Sequence, residues 1–192
     1  IVVWTSANQD IDGVGVFSQR FDSNGAKTGD EMRVNTWQTG GQFSPSVTLL
    51  NDGGYLVTWT TGSDGGSPNY QDGSLNDIYG QRFDSDGNQI GSQEFPVNTH
   101  TQGVQHLSSM TGLTNGDYVV TWQSWGPNSL DIFAQMYYAN GDASGEEFQV
   151  NTYSEANQSH SKVIGLSDGG FLVTWASEGQ DGSGYGIYGK KY

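Results

Sequence analysis

Five aspartates in glycine-rich stretches, Asp10, Asp12, Asp72, Asp77 and Asp181, are the residues best suited to hold a cation. They lie in SANQDIDGVG at 6–15, GSDGGSPNYQDGSLND at 62–77 and SEGQDGSGYG at 177–186. The pairs Gln9–Asp10, Gln71–Asp72 and Gln180–Asp181 recur there although the loop lengths differ. Carboxylate, amide and freed backbone carbonyl oxygens are the hard ligands calcium takes, and calcium is the cofactor these loops admit. A calcium site needs about six or more oxygens, and each segment offers few acids, so an Asx turn is the competing reading. Three aromatics beside the same loops, Tyr70, Trp125 and Tyr185, could stack on sugar rings or pack on an adjoining unit.

Catalytic patterns are sparse. His100, His106 and His160 do not recur with metal-ligand spacing. Serines are plentiful without a Gly-flanked nucleophile elbow. A glycosidase pair needs a carboxylate separation that sequence does not give. The expected chain is therefore not an enzyme.

Charge narrows the partners. Seven Lys plus Arg against 21 Asp plus Glu give a formal charge of −14, which leaves no basic stripe for phosphates and argues against nucleic acid. An acidic surface attracts cations instead. The absence of cysteine excludes a disulfide framework and thiol chemistry. No apolar run approaches membrane-spanning length, so membrane insertion is not expected. No signal peptide opens the chain, and Ile1 begins directly in a strand, as expected of an excised or processed piece.

The elements that must position these loops come from an internal repeat. Trp4, Trp59, Trp122 and Trp175 each end an apolar β-forming run: IVVW, YLVTW, YVVTW and FLVTW. A second strand follows (VFSQRFD, IYGQRFD, IFAQMYY, IYGKKY), then a third closing on Val-Asn-Thr at 34–36, 97–99 and 150–152. A fourth (PSVTLL, HLSSMTGL, SKVIGL) precedes the next tryptophan. Spacing tests the alignment: Asn35 to Gln42, Asn98 to Gln105 and Asn151 to Gln158 are seven apart, and those glutamines stand seventeen before Trp59, Trp122 and Trp175. The step from tryptophan to the next aromatic varies between eleven and twenty, so the length variation sits in the acidic loop.

Four short strands in roughly 50 to 60 residues match a propeller blade. The expected fold is all-β, a single array over 1–192 of four-stranded antiparallel, β-propeller-like units at about 1–41, 42–104, 105–157 and 158–192; an open array of small β-sandwich units is the alternative. In each tryptophan strand, alternation as in Val57 and Trp59 against Leu56 and Thr58 predicts one buried face. The turns Asn51-Asp52-Gly53, Asn115-Gly116 and Asp168-Gly169 read as tight hairpins, as do Asp22-Ser23-Asn24-Gly25 and Asp84-Ser85-Asp86-Gly87. The first and last units are incomplete, which predicts that adjoining repeats or a partner chain complete them.

The motifs GxxVTW, GQDGSGxGIYGQRFD, EFxVNT and QxxPSV together resemble the tandem repeats of large secreted bacterial calcium-binding, RTX-type and adhesin proteins. That resemblance implies a secreted or cell-surface bacterial location and raises the expectation of calcium. The third unit lacks QDGS and departs from the pattern. The leading expectation is a non-enzymatic extracellular structural or adhesive module facing extracellular matrix or surface glycans. The alternatives are a carbohydrate-binding, lectin-like module and, third, a glycoside-acting enzyme.

Overall fold

The computed structural model describes residues 1–192 except 8, 10–12, 63–70, 72–74 and 127–128. The described residues form fourteen strands and no helix. Strands β1 (Val2–Ala7), β2 (Val14–Phe21) and β3 (Lys27–Arg33) make the first antiparallel sheet. The second holds β4 (Gly41–Leu49), β5 (Tyr55–Gly62), β6 (Asp77–Phe83) and β7 (Gln89–Pro96). The third holds β8 (Gln105–Gly112), β9 (Tyr118–Trp125), β10 (Leu130–Tyr137) and β11 (Phe148–Gln149). The last holds β12 (Gln158–Gly165), β13 (Phe171–Glu178) and β14 (Tyr185–Lys191). Each sheet runs in chain order and stacks on the next, β4 against β1, β8 against β4 and β12 against β8. This is the propeller-like arrangement of blades, with β4, β8 and β12 as the strands that meet one another.

One seam repeats three times. A front face carrying Tyr55, Val57, Trp59 and Phe83 packs on Val16, Val34 and Val3 of the sheet before it. Tyr118, Val120, Trp122 and Tyr137 pack likewise on Leu56, Ile78 and Val97. Phe171, Val173 and Trp175 close on Val119, Ile132 and Val150. At the corner of each front face two rings stack across neighbouring strands: Tyr55 on Phe83 at 4.7 Å, Tyr118 on Tyr137 at 4.9 Å and Phe171 on Tyr192 at 4.9 Å between centroids. The alternation expected of one buried face therefore describes only part of the molecule. Leu56 and Thr58 are as buried as Val57 and Trp59, because blade two has neighbours on both faces.

The constant spacings have a polar cause. The side-chain oxygens of Asn35, Asn98 and Asn151 accept the backbone N–H of Val16 (2.9 Å), Ile78 (2.7 Å) and Ile132 (2.7 Å). Their amides donate back to the carbonyls of Trp37, His100 and Tyr153, which sets the turn leading to the next sheet. Gln42, Gln105 and Gln158 are fully buried, and each donates to a carbonyl of that same turn. An inserted residue would leave these buried groups without partners, at about 1–3 kcal/mol each. Just beyond each glutamine the strand bulges, and Ser44, Leu107 and His160 take positive φ there, at 53°, 55° and 56°.

The acidic turns are hairpins. Asp22 Oδ1 accepts the N–H of Asn24 and Ala26, and Asp84 Oδ1 accepts those of Asp86 and Asn88.

Candidate functional site

Strand β9 ends at Trp125, where the third unit's shortened loop begins. Trp125 is held by its main chain: its N–H donates to Val104 O (3.0 Å), and it pairs with Leu130 on β10. Gly103 makes the approach possible, since a Cβ on it would lie 2.5 Å from Trp125 O, and its φ of 85° already excludes most side chains. The indole, 44% exposed, lines a cleft of about 460 Å³ with His100, Gln102, Gly103 and Gly126. An exposed aromatic face beside a ring nitrogen and an amide is the combination that holds a sugar, apolar below and hydrogen-bonding at the rim.

A second cleft of about 330 Å³ is lined by Thr36, Trp37, Gln71, Ser92, Gln93 and Glu94. Glu94 is buried and clamps the preceding blade, accepting the N–H of Thr36 and Trp37 (3.1 Å for the latter) and the Thr36 hydroxyl (2.6 Å). Gln71 in turn donates to Glu94 (2.8 Å). Glu147 repeats the clamp on Thr99 (2.6 Å) and His100 (3.3 Å), which fixes the backbone behind the Trp125 cleft. The recurring loop glutamine thus orients a carboxylate of its own blade: Gln9 donates to Glu31 (2.8 Å) as Gln71 does to Glu94.

Around the strands that meet one another lies a third cavity of about 210 Å³, lined by the bulges: Ser44, Pro45, Ser46, Leu107, Ser108, His160, Ser161 and Lys162. Nearby, Gln123 Oε1 accepts the N–H of His160 (2.6 Å), which leaves its amide nitrogen 2.8 Å from His106 Nε2. Burial and the neighbouring His160 hold the His106 imidazole below its ordinary range.

Of the five residues expected to bind calcium, Asp77 and Asp181 lie among the described residues. Asp10, Asp12 and Asp72 lie outside the described residues, as does Tyr70. Asp77 opens β6, is buried, and accepts the Asn98 amide at 2.7 Å, as Asp131 does for Asn151 at 2.6 Å. Asp181 Oδ1 caps Ser183 N–H at 3.0 Å, an Asx turn. Among the described residues no three His, Asp or Glu converge. Tyr185 is exposed at the start of β14 and is not among the residues lining the Trp125 cleft.

Trp37 and the glutamate clamp escaped the sequence reading. Both leave a signal: Trp37, His100 and Tyr153 stand two after the Asn, and Glu31, Glu94 and Glu147 four before it.

No protein-family model and no curated protein matches the chain. Solved structures do, in fold. An α-L-arabinanase of Penicillium chrysogenum, complexed with arabinobiose, is 13% identical with a TM-score of 0.56 over 96% of this chain and 57% of its own. An endo-arabinase of Bacteroides thetaiotaomicron is 14% identical with a TM-score of 0.55 over 93% and 66%. A thermostable family-43 glycoside hydrolase is 11% identical with a TM-score of 0.51 over 97% and 70%. The fold is that of β-propeller glycoside hydrolases. The chain spans less than two thirds of each of the two arabinases. These likenesses overturn the expectation of a non-enzymatic structural or adhesive module, because the architecture recurs in carbohydrate-cleaving enzymes.

Proposed function

We propose that the chain is a carbohydrate-active propeller that seats a glycan ring on Trp125. The exposed indole in its cleft carries the reading, with His100 and Gln102 placed to bond sugar hydroxyls. Shared architecture with arabinases and a family-43 glycoside hydrolase supports the ligand class. The Trp37 cleft, with Gln71 and Glu94, offers a second aromatic contact of the same kind. Resemblance to repeats of secreted bacterial proteins supports an extracellular setting, where polymeric glycans are the ligands at hand.

Arabino-oligosaccharides are the first probes, titrated by calorimetry and read in parallel for released reducing ends. Sugar–aromatic stacking makes Trp125→Ala the decisive variant, expected to weaken binding by about tenfold or more while the melting temperature holds. Undiminished binding by Trp125→Ala would remove the assignment.

A further inference from the structure

Three positions depart from a rule that the other turns and bulges keep. Among the described residues fifteen glycines take positive φ, and the residues with a side chain that do so are Ser44, Leu107 and His160. Each stands two after a buried glutamine, in the bulge of β4, β8 or β12. A side chain in the left-handed region is strained, and glycine adopts that region freely. The chain has 29 glycines, so strain kept at one equivalent position in three blades needs the side chains themselves as its reason. All three line one cavity, the space of about 210 Å³ between these strands. Bulges re-aim side chains in this way beside binding sites.

The lining differs in charge from the chain as a whole. The formal charge is −14, yet no Asp or Glu is among the residues lining this cavity, and Lys162 is. Arg82 and Lys191 pair with Asp52 and Asp168, and Lys190 donates to Val150 O, whereas the Lys162 ammonium has no partner among the described residues. The His160 imidazole and the hydroxyls of Ser44 and Ser46 stand on the same lining, with Pro45 and Leu107 as its apolar part. One ammonium matches one negative charge, and the imidazole and hydroxyls both donate and accept. Pockets for drug-sized ligands begin at roughly 300 Å³, so the smaller space here suits a single ring.

We infer that this cavity binds a sugar ring bearing a carboxylate, that is, a uronic acid. Lys162 takes the carboxylate, His160, Ser44 and Ser46 bond the hydroxyls, and Pro45 and Leu107 meet the apolar side of the ring. The ligand class rests on the carbohydrate reading above, and the site and the charge are additional to it. A free sugar acid and a uronate within a glycan chain present the same chemistry.

Calorimetric titration of the whole chain with galacturonate, trigalacturonate, galactose and acetate tests this. Galacturonate is expected to bind at least about tenfold more tightly than galactose or acetate. Tighter binding of trigalacturonate identifies a polymer as the source, and equal binding a free sugar acid. Lys162→Gln is expected to remove the preference over galactose. Leu107→Gly and His160→Gly relieve the backbone strain, so each is expected to hold or raise the melting temperature while weakening galacturonate by about threefold or more. Galacturonate bound no more tightly than acetate or galactose overturns the proposal. Binding that survives Lys162→Gln undiminished overturns it, as does binding that both glycine variants retain in full. A lower melting temperature in both glycine variants shows that these side chains serve the fold and overturns it too. Loss of galacturonate in Trp125→Ala but not in Lys162→Gln places the sugar acid on the indole, which overturns this proposal and leaves the Trp125 assignment standing. Arabino-oligosaccharide binding that Trp125→Ala leaves undiminished removes that assignment while the galacturonate titrations still decide this one.

Discussion

Strands β5 and β13 begin with almost the same residues, YLVTW and FLVTW, yet β5 is buried along its whole length and β13 only at alternate positions. The sequence pattern is one; the neighbours differ. β5 lies between two sheets, and β13 has a packed sheet on the Trp175 side, with Leu172, Thr174 and Ala176 half-buried on the other. Burial in this fold is therefore a property of the stack as well as of the strand, as expected where each repeat contacts its neighbours.

The largest test of that difference replaces the tryptophan. Trp122→Ala removes a side chain from the seam between the second and third blades and is expected to cost about 3–5 kcal/mol. Trp4→Ala touches a half-buried ring on an open face and should cost well under half as much. Urea titrations of the two variants give the ratio directly. Equal costs would mean that the tryptophan strand stabilises its own sheet and the seam matters little.

Next comes the back face. Leu56→Ala is expected to destabilise by about 2–5 kcal/mol, and the matching Leu172→Ala by about 1 kcal/mol at most. A single melting series on the two proteins decides whether the second face of β5 contributes what its burial implies.

Much of the architecture was legible because it is periodic. Fourteen strands, the hairpin turns at Gly53, Gly116 and Gly169, and the rigid Asn-to-Gln connection all follow from spacing, and their physical causes are local turns or side-chain to backbone bonds. The second buried face of β5 was not legible, since Thr58 is polar. It is buried because its hydroxyl meets Ser108 of the next blade at 2.8 Å, as Thr121 meets Ser161 at 3.2 Å. The candidate site was legible only in part. Trp125 stands out in the sequence as an aromatic beside a shortened loop, whereas the bond that Asp77 accepts from Asn98 leaves no mark in the loop's own sequence. A carboxylate's role depends on what faces it across the strand, and one-dimensional spacing within a loop does not carry that.

The Asn–Asp pair supplies a third contrast of intermediate size. Asn98→Ala leaves the N–H of Ile78 and the buried Asp77 carboxylate each short of a bond, and is expected to cost about 1–3 kcal/mol. In blade one, Gly15 stands where blade two has Asp77, and the Asn35 amide meets the buried Gln42 Oε1 at 3.0 Å, so among its described partners Asn35→Ala deprives the N–H of Val16 and a neutral amide oxygen of a bond. The interior variant should be the more damaging, as read by denaturant midpoint at unchanged slope.

The smallest effect separates the two histidines by pH. His106 is partly buried and receives the Gln123 amide at Nε2, so the neutral ring fits this site and the protonated ring, a donor at both nitrogens, does not. Its folded pKa lies below the ordinary 6.5, through burial first and then the neighbouring His160. Above about 6.5 both folded and unfolded chains hold a neutral ring and the contribution is complete. As pH falls below that value the unfolded chain takes up the proton first, so stability declines until the folded pKa is passed. His106→Gln should therefore flatten the acid limb of the melting profile below about pH 6.5, while His160→Gln should leave its His106-dependent slope largely in place. Identical slopes in the native chain and His106→Gln would show that the ring is solvated there, and that the bulge of β8 is more open than its contacts with Gln123 and β12 imply.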